Sequence, residues 1–186
     1  MSRPYLAAAT LNVWVLVLVL AAAFAVQLIL GELPCPLCVM QRVALMLVAL
    51  GPLHILLRAR AAGTLTCRAA AVGNGITILA ALLGVIASGR QVLLHILPGD
   101  AGFGAPVLGL HLYTWCLIAF GCQIAASAVM LLATAWIEEK PVAWRPTGVT
   151  TLAFAAIVAA NLLSVVAEAG FNWDLPSDPV RYLLFG

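Results

Sequence analysis

The sequence predicts an all-α integral membrane protein, a four-helix transmembrane bundle core with a fifth transmembrane helix near the C-terminus. Of its 186 residues, 65% are hydrophobic and only 9% are charged, which lies outside the range of soluble globular domains. Four uncharged stretches, 4–31, 69–89, 101–137 and 146–167, are long enough to cross a bilayer, which takes about 20 helical residues. A fifth, 43–57, is shorter, and it is counted because the turn before it, with the cysteines and Arg42, can lie in the membrane interface. The net charge of +2 indicates little about partners, and no basic run suggests a nucleic acid.

Each uncharged stretch predicts one helix of a single membrane domain. The first apolar run is longer than that of a signal peptide, so we expect it to be retained as a helix. It ends before Pro34, and Gly51-Pro52 predicts a kink in the second helix. Residues 91–97 are interpreted as a short interfacial helix in the outer loop. The predicted segments of the domain, residues 1–186, are helices at about 10–30, 36–57, 69–89, 111–136 and 147–168, an outer loop at 90–110 and an outer tail at 169–186.

The last three helices are bounded by polar or turn-forming residues. The third ends at Ser88-Gly89-Arg90, and the fourth begins after His111, with Trp115 as an expected anchor at the membrane interface. Acidic, basic and proline residues at 137–146 form the turn to the fifth helix. That helix ends near Glu168, which we expect to be solvated because it lies close to the outer end.

The basic residues predict the orientation. With the N-terminus inside, six of the nine lysine and arginine residues fall on the inner side, and the positive-inside rule favours that arrangement. We therefore expect a multi-pass protein of the bacterial inner membrane with a cytoplasmic N-terminus and a periplasmic C-terminus. The oxidising periplasm would then maintain a disulfide in the outer segments. The six inner residues are Arg3, Arg58, Arg60, Arg68, Lys140 and Arg145.

The motif Cys35-Pro36-Leu37-Cys38 carries the predicted chemistry. Two thiols separated by two residues can close a redox-active disulfide, and a helix that begins near Pro36 stabilises a thiolate there. We expect Cys35, near the N-cap, to be the more exposed thiol, and Cys38, in the first turn, to be directed toward the membrane. Arg42 lies four residues after Cys38, on the same helix face, and adds a positive charge.

Two alternatives apply to these residues. The cysteines could bind a metal or be inert, but zinc takes four ligands, and the sequence has no second CxxC and no histidine pair. We therefore predict no metal site. Arg42 could hydrogen-bond a carbonyl oxygen of a lipid-borne quinone, or it could anchor the helix to lipid headgroups.

The string from Cys35 to Arg42, CPLCVMQR, follows a first membrane helix and resembles the disulfide bond formation protein B (DsbB) family. The resemblance extends over roughly residues 10–136. In that family a CxxC followed by an arginine at this spacing lies beside bound ubiquinone or menaquinone. The resemblance implies that Cys38 forms the thiolate–quinone adduct or charge-transfer species. It also implies that Cys35 passes the oxidising equivalent outward and that Arg42 contacts the quinone.

Two further residues are candidates for cofactor binding. The stretch from Gly89 to His95 resembles the family's quinone-flanking segment, so His95 is either a quinone neighbour or an ordinary interfacial histidine. Gln27, near the outer end of the first helix, could line the quinone pocket or hydrogen-bond a neighbouring helix. The other polar residues within the helices are interpreted as hydrogen-bond partners between helices: Asn74, Thr77, Asn161 and Ser164.

The sequence departs from the family's best-known members in two ways. Those members carry a second cysteine pair in the loop between the third and fourth helices, which takes electrons from a thioredoxin-fold partner, whereas residues 90–110 and 169–186 contain no cysteine here. Cys116 and Cys122 cannot form a disulfide with each other, because six residues apart on one helix they do not share a face. Cys116, near the outer end of its helix, could approach Cys38, but we interpret both residues as packing residues. The fifth helix is the second departure, and its outer tail could cover the active site or dock a partner.

The leading functional hypothesis is a quinone-linked membrane thiol-disulfide oxidoreductase. It would oxidise a periplasmic thioredoxin-fold or other dithiol protein through Cys35 and Cys38 and pass the electrons to quinone. A second hypothesis is a catalytically degenerate family member that acts as a membrane interaction or assembly subunit, with the pair as a structural disulfide. A third is a reductant conduit that works in the opposite direction. The sequence leaves the substrate protein and the type of quinone open.

Overall fold

The chain folds into a bundle of long helices, as predicted. The computed structural model describes residues 2–29, 31–172, 179 and 181–184, so the predicted outer tail lies in part outside the described residues. Within the described part, five helices are long and apolar enough to cross a membrane, which confirms the predicted fold class. They are α1 (Ser2–Ile29), α2 (Pro36–Ala62), α3 (Cys67–Leu94), α4 (Leu112–Leu132), which a 3-10 turn (Ala133–Trp136) continues, and α5 (Thr147–Ala169).

Several helices extend beyond the uncharged stretches that predicted them. α1 begins at Ser2 rather than near residue 10. Residues 91–94 continue α3, so the separate interfacial helix predicted from residue 91 is wrong, and His95 ends α3 with its amide bonded to the carbonyl of Val92 at 3.2 Å. A helix of 28 residues is about 42 Å long, while the hydrocarbon core is about 30 Å thick. The polar ends of the helices can therefore project into the interface.

α2 and α3 form a closely packed hairpin. Gly63 ends α2 with a φ of 67°, a left-handed conformation that glycine adopts without strain. Gly51 and Gly73 face each other where the two helices cross, and a Cβ on Gly51 would overlap the Thr77 side chain and the Gly73 carbonyl. Thr77 Oγ1 also donates to the Val48 carbonyl at 3.3 Å. Small residues thus bring the two backbones together, as in many membrane helix pairs.

Polar side chains join the other helices. α1 packs against α2 and α5, and α4 packs against α3. Asn74 Nδ2 donates to the Tyr5 hydroxyl at 2.6 Å, which confirms the predicted bond between helices. Asn161 differs, because its Nδ2 donates to the Ile157 carbonyl of its own helix at 2.8 Å.

Cys35 lies at one end of the bundle, together with an end of each of the five helices. α2 and α4 begin there, and α1, α3 and α5 end there; we call it the cysteine end, because Cys35 lies in it. Residues 95–111 connect α3 to α4 at this end. The amides of Leu183 and Leu184 donate to the carbonyls of Glu168 and Ala167 at 3.2 and 3.1 Å. The chain after α5 therefore returns to the last turn of that helix.

Candidate active site

Cys35 and Cys38 are in contact at the start of α2. Cys35 is the N-cap residue, and its Sγ accepts a hydrogen bond from the Cys38 amide at 3.2 Å. The two Sγ atoms are 2.6 Å apart. The hydrogen bond from the Cys38 side chain lowers the pKa of Cys35 to about 6, against the opposing effect of burial, and the amides of Cys38 and Leu37 act in the same direction. The N-cap position therefore favours one thiolate in the pair.

The prediction that Cys35 is the more exposed thiol is wrong. Cys35 is only 6% exposed, whereas Cys38 is half-buried. The backbone of Cys35 is extended, with φ −67° and ψ 164°, and this conformation turns its side chain back over the first turn of α2. Leu33 and Pro34, just before it, are buried as well.

Two buried glutamines surround the pair. Gln91, in the last turn of α3, donates through Nε2 to Cys35 Sγ at 3.5 Å and lies 3.7 Å from Cys38 Sγ. Gln41 Nε2 donates to Gln91 Oε1 at 2.7 Å and thereby orients this amide. Sequence reasoning did not select these residues, although Gln41 lies in the cysteine string and Gln91 follows Arg90. An N–H donor aimed at sulfur stabilises a thiolate without adding charge.

Arg42 points into the bundle against α1. Its Nη1 donates to Gln27 Oε1 at 2.7 Å, and its Nη2 donates to the Ala23 carbonyl at 3.1 Å. The guanidinium carbon also lies 5.5 Å from the centre of the Phe24 ring, a cation–π distance. These contacts favour a role inside the bundle over the alternative of a headgroup anchor.

Gln27 connects Arg42 to α5 and to the chain beyond it. The residue is 2% exposed, and its Nε2 donates to Ser164 Oγ at 2.8 Å and to the Tyr182 hydroxyl at 3.1 Å. The predicted bond from Gln27 to a neighbouring helix is therefore present. Because the same side chain accepts from Arg42, it also fixes the position of the guanidinium.

Glu168 is buried at the cysteine end, so the prediction that it is solvated is wrong. It is 0% exposed, and among the described residues neither carboxylate oxygen has a hydrogen-bond partner. Ser164 and Glu168 are four residues apart and share one face of α5. Arg42 and Cys35 both lie close enough to affect Glu168 electrostatically. The burial could not be read from the sequence, because the neighbours of this helix end include distant residues such as Leu183 and Leu184, whose amides bond to the carbonyls of Glu168 and Ala167.

His95 belongs to the loop that follows α3. Its Nδ1 lies 3.1 Å from Asp100 Oδ1, and its ring stacks on Tyr113 at 5.5 Å. Asp100 also accepts from the Gly102 amide at 2.8 Å, and this bond, followed by the one with His95, lowers the pKa of the carboxyl group. The contact of His95 with a quinone stays a prediction.

The loop between α3 and α4 is tied to the chain before Cys35. The Ala105 amide donates to Glu32 Oε1 at 3.3 Å, and Trp115 Nε1 donates to the Val107 carbonyl at 2.9 Å. The other three cysteines lie apart from the pair's described contacts, since Cys116 packs against the core and Cys67 and Cys122 are exposed. Within the described ranges, no group of three His, Cys, Asp or Glu residues could hold a metal ion.

Comparison with known proteins gives one consistent result. The family model described as "Disulfide bond formation protein DsbB" matches residues 5–103. "Disulfide bond formation protein B 1" of Pseudomonas savastanoi pv. phaseolicola is 31% identical over 131 residues, which cover 54% of this chain and 74% of that protein. "Disulfide bond formation protein B" of Pseudomonas syringae pv. tomato is 30% identical with the same coverage. The protein of that name from Chromobacterium violaceum is 44% identical over 71 residues, 38% of this chain and 40% of its own.

No solved structure matches the chain at a comparable level. The family match covers most of α1, all of α2 and α3, and part of the loop after α3, whereas α4 and α5 lie beyond residue 103. It therefore includes the cysteine pair, both glutamines beside it and Arg42, and it does not include Glu168.

Proposed function

This chain belongs to the DsbB family of membrane disulfide bond formation proteins, and on that premise we propose that it is a quinone-linked thiol oxidase. It would take electrons from a partner dithiol through Cys35 and Cys38 and pass them to ubiquinone or menaquinone. The observation that carries the proposal is the contact of two thiols at a helix N-terminus, with the Gln91 amide beside them and Arg42 close enough to interact electrostatically with Cys38.

The donor set near the pair fits a quinone, which presents two carbonyl oxygens on an apolar ring. A guanidinium has five N–H groups, and the contacts of Arg42 with Gln27 and Ala23 engage two of them. The Phe24 ring supplies apolar surface next to it. When bound, a quinone supplies an acceptor for two electrons and two protons. Arg42 would hold it, Gln27 would position Arg42, and His95 is a further candidate.

The cysteine pair would exchange its disulfide directly with the partner, because the outer loop offers no second pair. A partner thiolate would attack Cys35 Sγ, and Cys38 would leave as a thiolate. The second partner thiol would then displace Cys35 and close the partner's disulfide. The partner thus loses two electrons, and Cys35 and Cys38 gain them. The hydrogen bonds to Cys35 Sγ from Cys38 and Gln91 stabilise the departing sulfur.

Burial of Cys35 favours a second candidate function. A thiol that is 6% exposed is reached by a protein partner only when the covering segment moves. A family member whose pair is no longer accessible would serve as a membrane interaction or assembly subunit, with Cys35 and Cys38 as a structural disulfide.

A thiol count separates these functions. The purified protein is reduced, the reductant is removed without oxygen, a soluble ubiquinone analogue is added, and free thiols are counted over time. We expect the loss of two of the five thiols in the natural protein, and the same loss of two in Cys67→Ser. Cys35→Ser and Cys38→Ser should lose none. No loss with ubiquinone and menaquinone analogues alike would contradict the oxidase and favour the structural role.

We further propose that the protein lies in the bacterial inner membrane with the cysteine end in the periplasm and Cys67 on the cytoplasmic side. Cys67 is exposed at the start of α3, which is the opposite end of the bundle. A membrane-impermeant maleimide should therefore label Cys67 in lysed spheroplasts and not in intact ones. Equal labelling of Cys67 in both preparations would reverse the proposed orientation.

A further inference from the structure

We propose that Glu168 is the proton-holding group of this redox site: its carboxyl group carries a proton while the Cys35–Cys38 pair is reduced and releases it when the pair is oxidised. The inference deepens the proposed function and rests on the oxidation of this pair. Glu168 lies on α5, beyond the residues that the family model matches, so the family match does not assign it a role.

The surroundings of Glu168 disfavour a permanent charge. The side chain is 0% exposed, its oxygens have no hydrogen-bond partner among the described residues, and no ion pair described in the structure includes it. An isolated buried carboxylate is costly, and such groups normally gain a proton unless a cation compensates them. The protonation of Glu168 therefore depends on the charges that face it.

In the part of the chain that the structure describes, Arg42 is the cation that acts on Glu168, and it faces more than one potential anion. α5 packs against α1 and α2. On α2 the facing groups are Arg42 and, at the start of the helix, Cys35 with Cys38. Among the described residues, α1 contributes the neutral Gln27 at this end, and the returning chain contributes the Tyr182 hydroxyl. Within this described part, the Arg42 guanidinium compensates either a thiolate of the pair or the carboxylate of Glu168.

Hydrogen bonds keep these groups together. Ser164, one helical turn from Glu168, accepts from Gln27 at 2.8 Å, and Gln27 accepts from Arg42 at 2.7 Å. The face of α5 that bears Glu168 is therefore linked through Gln27 to Arg42, whose guanidinium also interacts electrostatically with Cys38. A change of charge at one group is felt at the other because the site is largely removed from water.

The proposed step balances. The reduced site contains the Cys35 thiolate, the Cys38 thiol and protonated Glu168. Oxidation forms the S–S bond, breaks the Cys38 S–H bond and the Glu168 O–H bond, and releases two electrons and two protons. The proposed acceptor, a quinone, takes up two electrons and two protons. The site carries one negative charge opposite Arg42 before and after the step, so no uncompensated charge appears in the low-dielectric interior.

The redox equilibrium with glutathione tests the proposal without any quinone. The pair is equilibrated with reduced and oxidised glutathione at several pH values near neutrality, and the reduced fraction is measured by alkylation and mass spectrometry. Oxidation of two glutathione molecules also releases two protons, so the equilibrium constant of the natural protein should not change with pH. In Glu168→Gln the pair takes up only one proton with the two electrons, so its reduction by glutathione releases one proton. The equilibrium constant for reduction of the pair should therefore increase about tenfold for each unit by which the pH rises.

Two variants serve as controls for this measurement. Glu168→Asp retains a carboxyl group and should behave as the natural protein does. Glu139→Gln removes an exposed carboxyl group outside the cysteine end and should have no effect. A natural protein whose equilibrium constant already changes tenfold per pH unit, like that of Glu168→Gln, would overturn the proposal.

Infrared difference spectra give a second readout if Glu168→Gln does not fold. Oxidation of the natural protein should remove the carbonyl band of a protonated carboxylic acid and add carboxylate bands, and the acid band should shift in D2O. A spectrum with no carboxyl change would also overturn the proposal. Both measurements use glutathione and its disulfide as the redox buffer, and neither uses a quinone. They can therefore support the role of Glu168 even where the quinone-dependent thiol loss fails, or contradict it where that loss occurs.

Discussion

Replacing Cys38 with alanine should raise the pKa of Cys35 by at least one unit. The hydrogen bond from the Cys38 side chain is the main reason that this pKa lies at about 6 rather than 9.0. At pH 7 a thiol with a pKa of about 6 is about nine-tenths ionised, and one with a pKa of 9.0 is about one-hundredth ionised, a ratio of about 90. The helix amides and Gln91 remain in the variant, so the pKa should return only part of the way.

The midpoint of the pH profile is a sharper observable than the rate. A thiolate becomes less nucleophilic as the pKa of its thiol decreases, with a Brønsted coefficient of about 0.45, so a decrease of three pKa units slows the reaction of the thiolate about 20-fold. The same decrease in pKa raises the ionised fraction at pH 7 about 90-fold, so the observed rate rises only about fourfold. A modest change in rate therefore conceals a large change in ionisation.

The assay follows iodoacetamide alkylation of the Cys35 peptide in the reduced protein as a function of pH, by mass spectrometry. The natural protein should show a midpoint near 6, and Cys38→Ala should show one at least a unit higher. Cys122→Ala, which removes an exposed thiol of α4, is the matched control and should leave the midpoint unchanged. The reasoning is refuted if the midpoint of the natural protein is that of an ordinary thiol, or if Cys38→Ala titrates at the same pH.

Three further predictions concern the helix crossing, Arg42 and the outer loop. Gly51→Ala should destabilise the protein by about 1–3 kcal/mol through overpacking, whereas Gly75→Ala, with open space around it, should be neutral or stabilising; thermal unfolding in detergent compares the two, and equal stability would contradict the packing. Gln27→Leu removes the hydrogen bond that Gln27 accepts from Arg42, and a hydrogen bond to a charged group is worth about 1.5–3 kcal/mol. If this bond positions Arg42 for the reaction, quinone-dependent thiol oxidation should slow by about tenfold or more, and an unchanged rate would argue against a role for Arg42. Because the pKa of Asp100 is lowered, its contacts should stabilise the loop fully above the ordinary carboxyl pKa and should weaken as the pH falls through the lowered pKa of Asp100. In Asp100→Asn the loop amides should lose hydrogen-exchange protection already at neutral pH, and unchanged protection would show that the Asp100 carboxylate does not stabilise the loop.

The parts of the protein that were predictable are those that the sequence encodes locally. Each helix has its own apolar stretch, so the five helices could be predicted one by one. The cysteine pair and Arg42 lie within two turns of the same helix, so their proximity follows from helix geometry alone. The ends of the helices were less predictable, because residues such as those at 91–94, one glutamine and three apolar residues, suit a short interfacial helix as well as a continuation of α3.

The rest of the site depends on contacts between distant parts of the chain. Gln91 lies 56 residues from Cys35, and Tyr182 lies 155 residues from Gln27, so no local pattern connects them. Glutamine also does not titrate and is not a typical metal ligand, so the sequence gives no chemical reason to select it beside the cysteines. Glu168 shows the same limit, because the chain segment that returns to its helix end is distant in the sequence, and the spacing of apolar residues does not encode that contact.

The bond between Gln27 and Tyr182 has a consequence for the synthesis of the protein. α1, α2 and α3 are translated and inserted first, and with them come both cysteines, Gln91 and Arg42. The groups from α5 and beyond reach the membrane later, because Glu168 lies 77 residues and Tyr182 lies 91 residues after Gln91. A nascent chain therefore carries its thiols and its guanidinium before the acid and the tyrosine that complete their surroundings. Translation therefore produces the reactive cysteine pair before Glu168, and the site becomes complete only after α5 has been inserted.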